Sequence, residues 1–277
     1  MLIDNPVDTA TVAASTEAAL MPASNIKEFE RSKKWRSGAG TSSYLNITFG
    51  VEEAREWVAL VDLNLTSAGT IRIQAWTDGL GGAAQVYDQS FTPTLYSAAI
   101  QSNNYGGGSY GLGNYGSNAP ISQLDARNLT ILPLGASYTA KYWRITFTDT
   151  NTSFQEVARV YITTAVEFTY NISWGWRIGR VENSGFRKSL GGQRYVQERD
   201  SQLEISGDFD YLTDLERTNM LVRMFEIGSR DPIIFSVYPE ATNRGLTTTM
   251  YGHFEDFSFA HANHDMNRFP FRLLEDL

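Results

Sequence analysis

From Tyr44 to Phe49 apolar and polar residues alternate, and short runs of the same kind recur through most of the chain. A period of two belongs to a strand with one face in a core and the other in water. The run Trp57 to Leu65, WVALVDLNL, is more continuously apolar, as expected of a strand buried on both faces. Thr66-Ser67-Ala68-Gly69 reads as a hairpin-like connection, after which Thr70 to Trp76 places Ile71, Ile73 and Ala75 on one face. Further strands are expected at Val86–Phe91, Leu129–Leu132, Tyr142–Thr148 and Val157–Thr163. Many short strands divided by Gly, Ser, Asn and Asp turns predict a sandwich or jelly roll. No strand–helix alternation of the kind a parallel α/β sheet needs is visible.

The pattern changes character near residue 165. Val166 to Arg180 reads as a long strand with Trp174 and Trp176 on one face, followed by an extended basic loop from Arg187 to Arg194. After a strand at Gln202–Phe209 comes the one strong helix signal. Thr213 and Glu216 have capping-box spacing, which satisfies two backbone N–H groups reciprocally. Leu215, Leu221, Met224 and Phe225 supply its expected apolar face, and Gly228 its stop. Strands at Ile233–Tyr238, Thr247–Phe259 and Phe269–Leu274 follow. The fold class expected is therefore mostly β: an N-terminal jelly-roll sandwich over 34–165 and a second β-sandwich over 166–277 with one flanking helix at 213–227. Residues 1–33, polar and Ala-rich with Pro6 and Pro22, read as an N-terminal arm.

One segment fits no strand. Residues 102–118, SNNYGGGSYGLGNYGSN, carry Tyr105, Tyr110 and Tyr115 at intervals of five on a glycine-rich backbone. Glycine raises the entropy cost of ordering, so the segment is expected to be a loop. Tyrosines set among Gly and Ser are the composition of adaptable binding loops, against the plainer reading of a surface insertion. Arg187, Lys188 and Arg194 form a second candidate contact loop.

The composition closes off several chemistries. The chain has no cysteine, which removes disulfides, thiolate zinc sites, iron–sulfur clusters and cysteine nucleophiles. A net charge of −8 argues against sequence-specific or general nucleic-acid binding, which needs basic surface. The N-terminus lacks the basic and apolar regions of a signal peptide, and no run approaches the ~18 apolar residues of a membrane span. The triplets at Asn46, Asn64 and Asn171 are then strand residues rather than glycosylation sites. The three histidines are His253, His261 and His264. The spacing of the last two reads as a turn between strands rather than a metal site. No serine sits on a strand-to-helix nucleophile elbow, and Gly106-Gly107-Gly108 and Gly111-Leu112-Gly113 precede no helix that could cradle phosphate. Asp62, Asp88 and Asp149 lie on or beside strands, but nothing in the sequence pairs two of them for glycoside hydrolysis. No enzyme activity, metal or cofactor is expected.

Residues 22–165 resemble galactose-binding-like, discoidin-type jelly rolls. The pieces that carry the resemblance are Pro22–Ile26, Lys34-Trp35-Arg36-Ser37, LNITFG, WVALVDLNLTSAGTIRIQAW, and the late runs YWRITF from Tyr142 and ARVYI from Ala158. Joined to WGWRIGR, GGQRY, the helix and DPIIFSVYPE, they resemble tail-tip (distal or minor tail) proteins of long-tailed bacteriophages, whose second domain is similar to the tail-tube fold. The Gly/Tyr loop departs from the compact jelly-roll pattern. The resemblance implies a virion structural subunit made in the host bacterial cytoplasm. It would form a symmetric homo-oligomeric ring and contact tube, hub and tape-measure proteins. The alternative it implies is a carbohydrate-binding adhesion module for a host-surface glycan; a glycan hydrolase ranks below both.

Overall fold

The computed structural model describes the chain except residues 67, 94–128, 189–190, 198–200, 239–247, 264–265 and 277, and the side chains of 186, 194, 196, 261–263 and 266. The protein is mostly β, with two sandwich-like sheets and a single described helix. It divides into two compact units, residues 4–164 and residues 1–3 with 165–277.

The first unit contains β1 (Thr11–Ala14), β2 (Trp35–Arg36), β3 (Ser42–Val61), β4 (Thr70–Trp76), β5 (Gln85–Phe91), β6 (Leu129–Thr148), β7 (Glu156–Val157) and β8 (Arg159–Thr163). The principal sheet runs β1-β3-β6-β4-β5, with β8 also on β3 and β2 paired with β7. β3 and β6 pair along almost their whole length, with register shifts between Thr48 and Glu53 and between Arg55 and Trp57. These irregularities let each long strand contribute its two halves to different sets of neighbours. The first half of β3 pairs with β1 and the second with β8. The expected strands Leu129–Leu132 and Tyr142–Thr148 are thus two ends of one strand.

The alternation read from the sequence is present in the burial. Leu45, Ile47, Ile71, Ile73, Ala75, Trp143, Ile145 and Phe147 face the core, while Val58 to Val61 are buried throughout. Burying each large aliphatic side chain contributes about 1.5–3 kcal/mol. The hairpin expected at 66–69 does not form, because β6 lies between β3 and β4. Thr66 is instead tied to the end of β6, its backbone N–H donating to Asp149 at 2.6 Å.

The polar, Ala-rich N-terminal segment is not an arm. Val7, Ala10, Ala23 and Ile26 are buried in the jelly-roll core. The Arg159 side chain, 2% exposed, donates to Asp8 at 2.7 Å, to the carbonyls of Lys27 and Glu28 at 2.7 and 2.9 Å, and to the Tyr161 hydroxyl at 3.1 Å. A few well-spaced apolar residues and one buried guanidinium hold a segment whose mean composition looked solvated.

The second unit contains β9 (Arg177–Val181), β10 (Gly185–Lys188), β11 (Arg194–Gln197), β12 (Gln202–Leu212), α1 (Asp214–Ile227), β13 (Ile233–Ser236), β14 (Thr249–Phe257), β15 (Ala260–Asn263) and β16 (Met266–Glu275). Its sheet runs β13-β14-β16-β12-β9 with β15 on β16, and β10 pairs with β11. Phe209, Phe235, Phe254, Phe269 and Phe271 form a connected aromatic core, with centroid separations such as 5.3 Å for Phe235–Phe271. Gly252 is required where β14 meets β16, since a Cβ there would stand 2.0 Å from the Leu274 carbonyl oxygen. Leu2 extends the β13 edge by exchanging backbone hydrogen bonds with Ile234.

The strand expected over Val166–Arg180 is confined to Arg177–Val181. The preceding stretch bonds irregularly: Ser173 N–H donates to the Asp208 carbonyl, and Asp210 N–H donates to the Ser173 hydroxyl. Gly175, at φ +100°, turns the chain where a strand would continue straight. Gly207 admits this segment closely, because a Cβ there would lie 2.6 Å from Ile172. The expected 187–194 loop is in part the β10–β11 hairpin.

Candidate interaction surface

α1 begins where the sequence placed it. Thr213 accepts from the Glu216 backbone N–H at 3.3 Å, and Glu216 accepts from the Thr213 backbone N–H at 2.9 Å. Glu216 also accepts from the Thr169 backbone N–H at 2.7 Å, tying the irregular 166–176 stretch to the helix start. Burial alone would raise the Glu216 pKa; the backbone donors of Thr169 and Thr213 outweigh it and lower the group to about 2.

The helix faces its sheet differently from the expectation. Met220, Met224 and Ile227 are the buried positions, whereas Leu215 and Phe225 are 70% and 79% exposed. Val222 is exposed as well, and Leu215, Val222 and Phe225 lie on one stripe of the helical surface. α1 therefore carries two apolar stripes, and the fold buries only one. The same unit exposes Tyr170 and Tyr211, whose rings meet edge-on at 5.9 Å, and Trp174, which is fully exposed. Trp176 instead packs against the core, so the two tryptophans do not share a face.

The β10–β11 hairpin pairs only within itself among the described residues. Arg187 stands opposite Tyr195 and Lys188 opposite Arg194 in the register. Arg187, Lys188 and Tyr195 are exposed. A two-stranded ribbon has little stability by itself in water. Tyr105, Tyr110 and Tyr115 lie outside the described residues. So does Ser109, the serine of a Gly107-Gly108-Ser109-Tyr110-Gly111 spelling that matches the hydrolase G-x-S-x-G pattern.

The carboxylates weighed for catalysis each have partners within the fold. Asp62 binds Arg31 at 2.5 Å and Lys34 at 3.5 Å. Asp88 is held below the usual carboxylate range by hydrogen bonds from Arg72. Asp149 is pushed up by burial but brought net downward by backbone N–H donors of Thr66 and Asn151. His253 Nδ1 lies 2.7 Å from Asp276, and the backbone of His261 is paired in β15. Among the described residues no cluster of three or more metal-ligating side chains occurs, and no helix is long and apolar enough to cross a membrane.

No family model and no curated protein matches the sequence. Solved structures similar to part of the chain include chitosan-binding module 1 of a chitosanase/glucanase from Paenibacillus sp. IK-5, with 16% identity over 57% of this chain and 98% of that one, at a TM-score of 0.37. Another is the family 32 carbohydrate-binding module of C. perfringens NanJ in complex with galactose, with 13% identity over 58% and 98% at 0.39. A third is the lectin domain of lectinolysin complexed with Lewis B antigen, with 11% identity over 60% and 100% at 0.40.

Proposed function

We propose that the chain is a non-enzymatic structural subunit of a bacteriophage tail tip, assembling into a symmetric homo-oligomeric ring through its second unit. The observation that carries this reading is the uncovered apolar stripe of α1. A helix that ends its life facing water keeps a polar outer face; Leu215, Val222 and Phe225 instead call for a neighbour. The exposed Tyr170–Tyr211 pair, Trp174 and the self-paired basic hairpin add contact groups of the kinds enriched in interface centres. Tube, hub and tape-measure proteins are the partners this reading implies. Light scattering and negative-stain microscopy of the purified chain test it. Closed rings or defined oligomers are expected, and a chain that stays monomeric at high concentration and does not join purified tails would refute it.

A second reading, a carbohydrate-binding adhesion module, is supported by the Tyr105, Tyr110 and Tyr115 loop composition in the jelly-roll half. Galactose and chitosan oligomers, with which similar solved modules associate, are the first sugars to try. The two readings are compatible in one molecule, with one unit assembling and the other displayed.

A further inference from the structure

The solvent side of the larger jelly-roll sheet carries a row of polar side chains across four strands. Asn46 on β3 stands opposite Arg144 on β6, Arg144 opposite Gln74 on β4, and Gln74 opposite Asp88 on β5. Their chain neighbours Leu45, Ile47, Ile145, Ile73 and Ala75 are buried, so alternation turns all four toward the same outer face. With strands about 4.8 Å apart, the row spans about 14 Å.

The two arginines on this face are in different states. Arg72 is neutralised, its Nε and one η nitrogen donating to Asp88 at 2.7 and 2.5 Å, and Gln74 donates to the same carboxylate at 3.2 Å. Arg144 has no carboxylate. Its Nε donates to the Asn46 side-chain oxygen at 2.8 Å, and its guanidinium carbon lies 4.6 Å from the Tyr44 ring centroid and 5.7 Å from that of Trp76. Its two η nitrogens have no hydrogen-bond partner among the described residues. The side chain is thus held by one anchored nitrogen and two rings, with its remaining donors free. A guanidinium fixed in this way presents a fork that matches a carboxylate bidentately, and its rotamer freedom has already been given up in folding.

We infer that this row is a binding site for an acidic saccharide, with a uronic-acid carboxylate on Arg144 and ring hydroxyls on Gln74 and Asp88. Planar amide and carboxylate groups beside the cation suit hydroxyl pairs, and they sit on strands rather than on the Gly/Tyr loop. The inference rests on the sugar-binding reading of the jelly roll and is independent of the ring reading.

Isothermal titration of the full chain with tetragalacturonate, maltotetraose and a tetraglutamate peptide tests it. The acidic sugar should bind saturably and at least about ten-fold more tightly than the other two, the scale of one charge-assisted bidentate contact. Arg144→Gln should lose that ten-fold with an unchanged melting curve. Asn46→Ala, which releases only the Nε anchor, should weaken binding by a smaller factor and serves if Arg144→Gln does not fold. Wild-type affinity in the folded Arg144 variant, or in Asn46→Ala where that variant alone folds, removes this site while leaving sugar binding elsewhere in the jelly roll. Tetraglutamate bound as tightly as the sugar replaces the saccharide with an acidic protein partner and overturns the inference. Absence of saturable binding by any oligosaccharide, galactose and chitosan oligomers included, overturns both the site and the sugar reading.

Discussion

The two compact units differ in the kind of large apolar side chain they leave exposed. In the jelly roll, alternate positions of the central strands go to the core, their outward neighbours are hydrogen-bonded in the pairs Asn46–Arg144 and Gln74–Asp88, and the most exposed large apolar side chains are the aliphatic Leu20 and Val51. In the second unit the core is equally well filled by phenylalanines, but Tyr170, Trp174, Tyr211, Leu215, Val222 and Phe225 remain outside it. A cluster of exposed aromatic side chains beside a filled core is the kind of surface that a partner would cover. On the proposed reading, the first unit is displayed and the second assembles.

The comparison can be broken by substitutions that act on one unit only. The largest effect is expected from Arg159→Met. It removes four described hydrogen bonds, including those to the Lys27 and Glu28 carbonyls, and leaves Asp8 with the Asn5 amide in place of a cation. Leaving buried acceptors unsatisfied costs about 1–3 kcal/mol apiece, so denaturant unfolding of the jelly roll should shift by about 3 kcal/mol or more while the second unit's transition stays in place. A single shared shift in both transitions would show that the units do not unfold separately.

Next in size is the paired change Leu215→Ser with Phe225→Ser. Removing two large interface side chains should cost association about 2 kcal/mol or more, read as loss of oligomer in light scattering. The folded monomer should change by no more than about 0.5 kcal/mol, as exposed positions do. Equal assembly by this variant would remove α1 from the interface.

Glu216→Gln tests the clasp between α1 and the 166–176 stretch. The amide keeps one acceptor oxygen and loses the other, so either the Thr169 or the Thr213 backbone N–H loses its partner, at a cost of about 1 kcal/mol. The sign of its pH dependence follows from the lowered pKa. The ionised clasp contributes fully above the ordinary carboxylate value of 4.5, and this contribution is lost as pH falls toward about 2. Stability of the wild type should therefore decline over that acid window by more than that of the variant, and matching pH curves would contradict the assignment.

The smallest effect on stability is expected from replacing Tyr105, Tyr110 and Tyr115 together with Ser. Circular dichroism and melting should be unchanged, with the loss confined to assembly or cell adsorption. Wild-type behaviour in both would make the loop a passive insertion.

Much of this architecture follows from short-range signals. Alternation over Tyr44–Phe49 and Thr70–Trp76 determined strands and their buried faces, because a side chain's direction on a strand depends only on its parity. The Thr213–Glu216 capping box determined where α1 begins, because the bonds involved span three residues. Cysteine chemistry was excluded by composition alone.

Pairing and phase were decided only in three dimensions. Nothing local to Thr66–Gly69 reveals that β6, some sixty residues later, will separate β3 from β4. Nor does the spacing of apolar residues in α1 say which of its two stripes meets the sheet. Met220, Met224 and Ile227 took that place, with the cap and the Thr169–Glu216 bond fixing the helix start, and Leu215 and Phe225 remain outside. The polar N-terminal segment entered the core through Val7, Ala10 and Ile26 and the reach of one distant arginine. Periodicity is a property of neighbouring residues and is written in the chain. The choice among partners of equal periodicity is a competition between distant surfaces, and packing settles it.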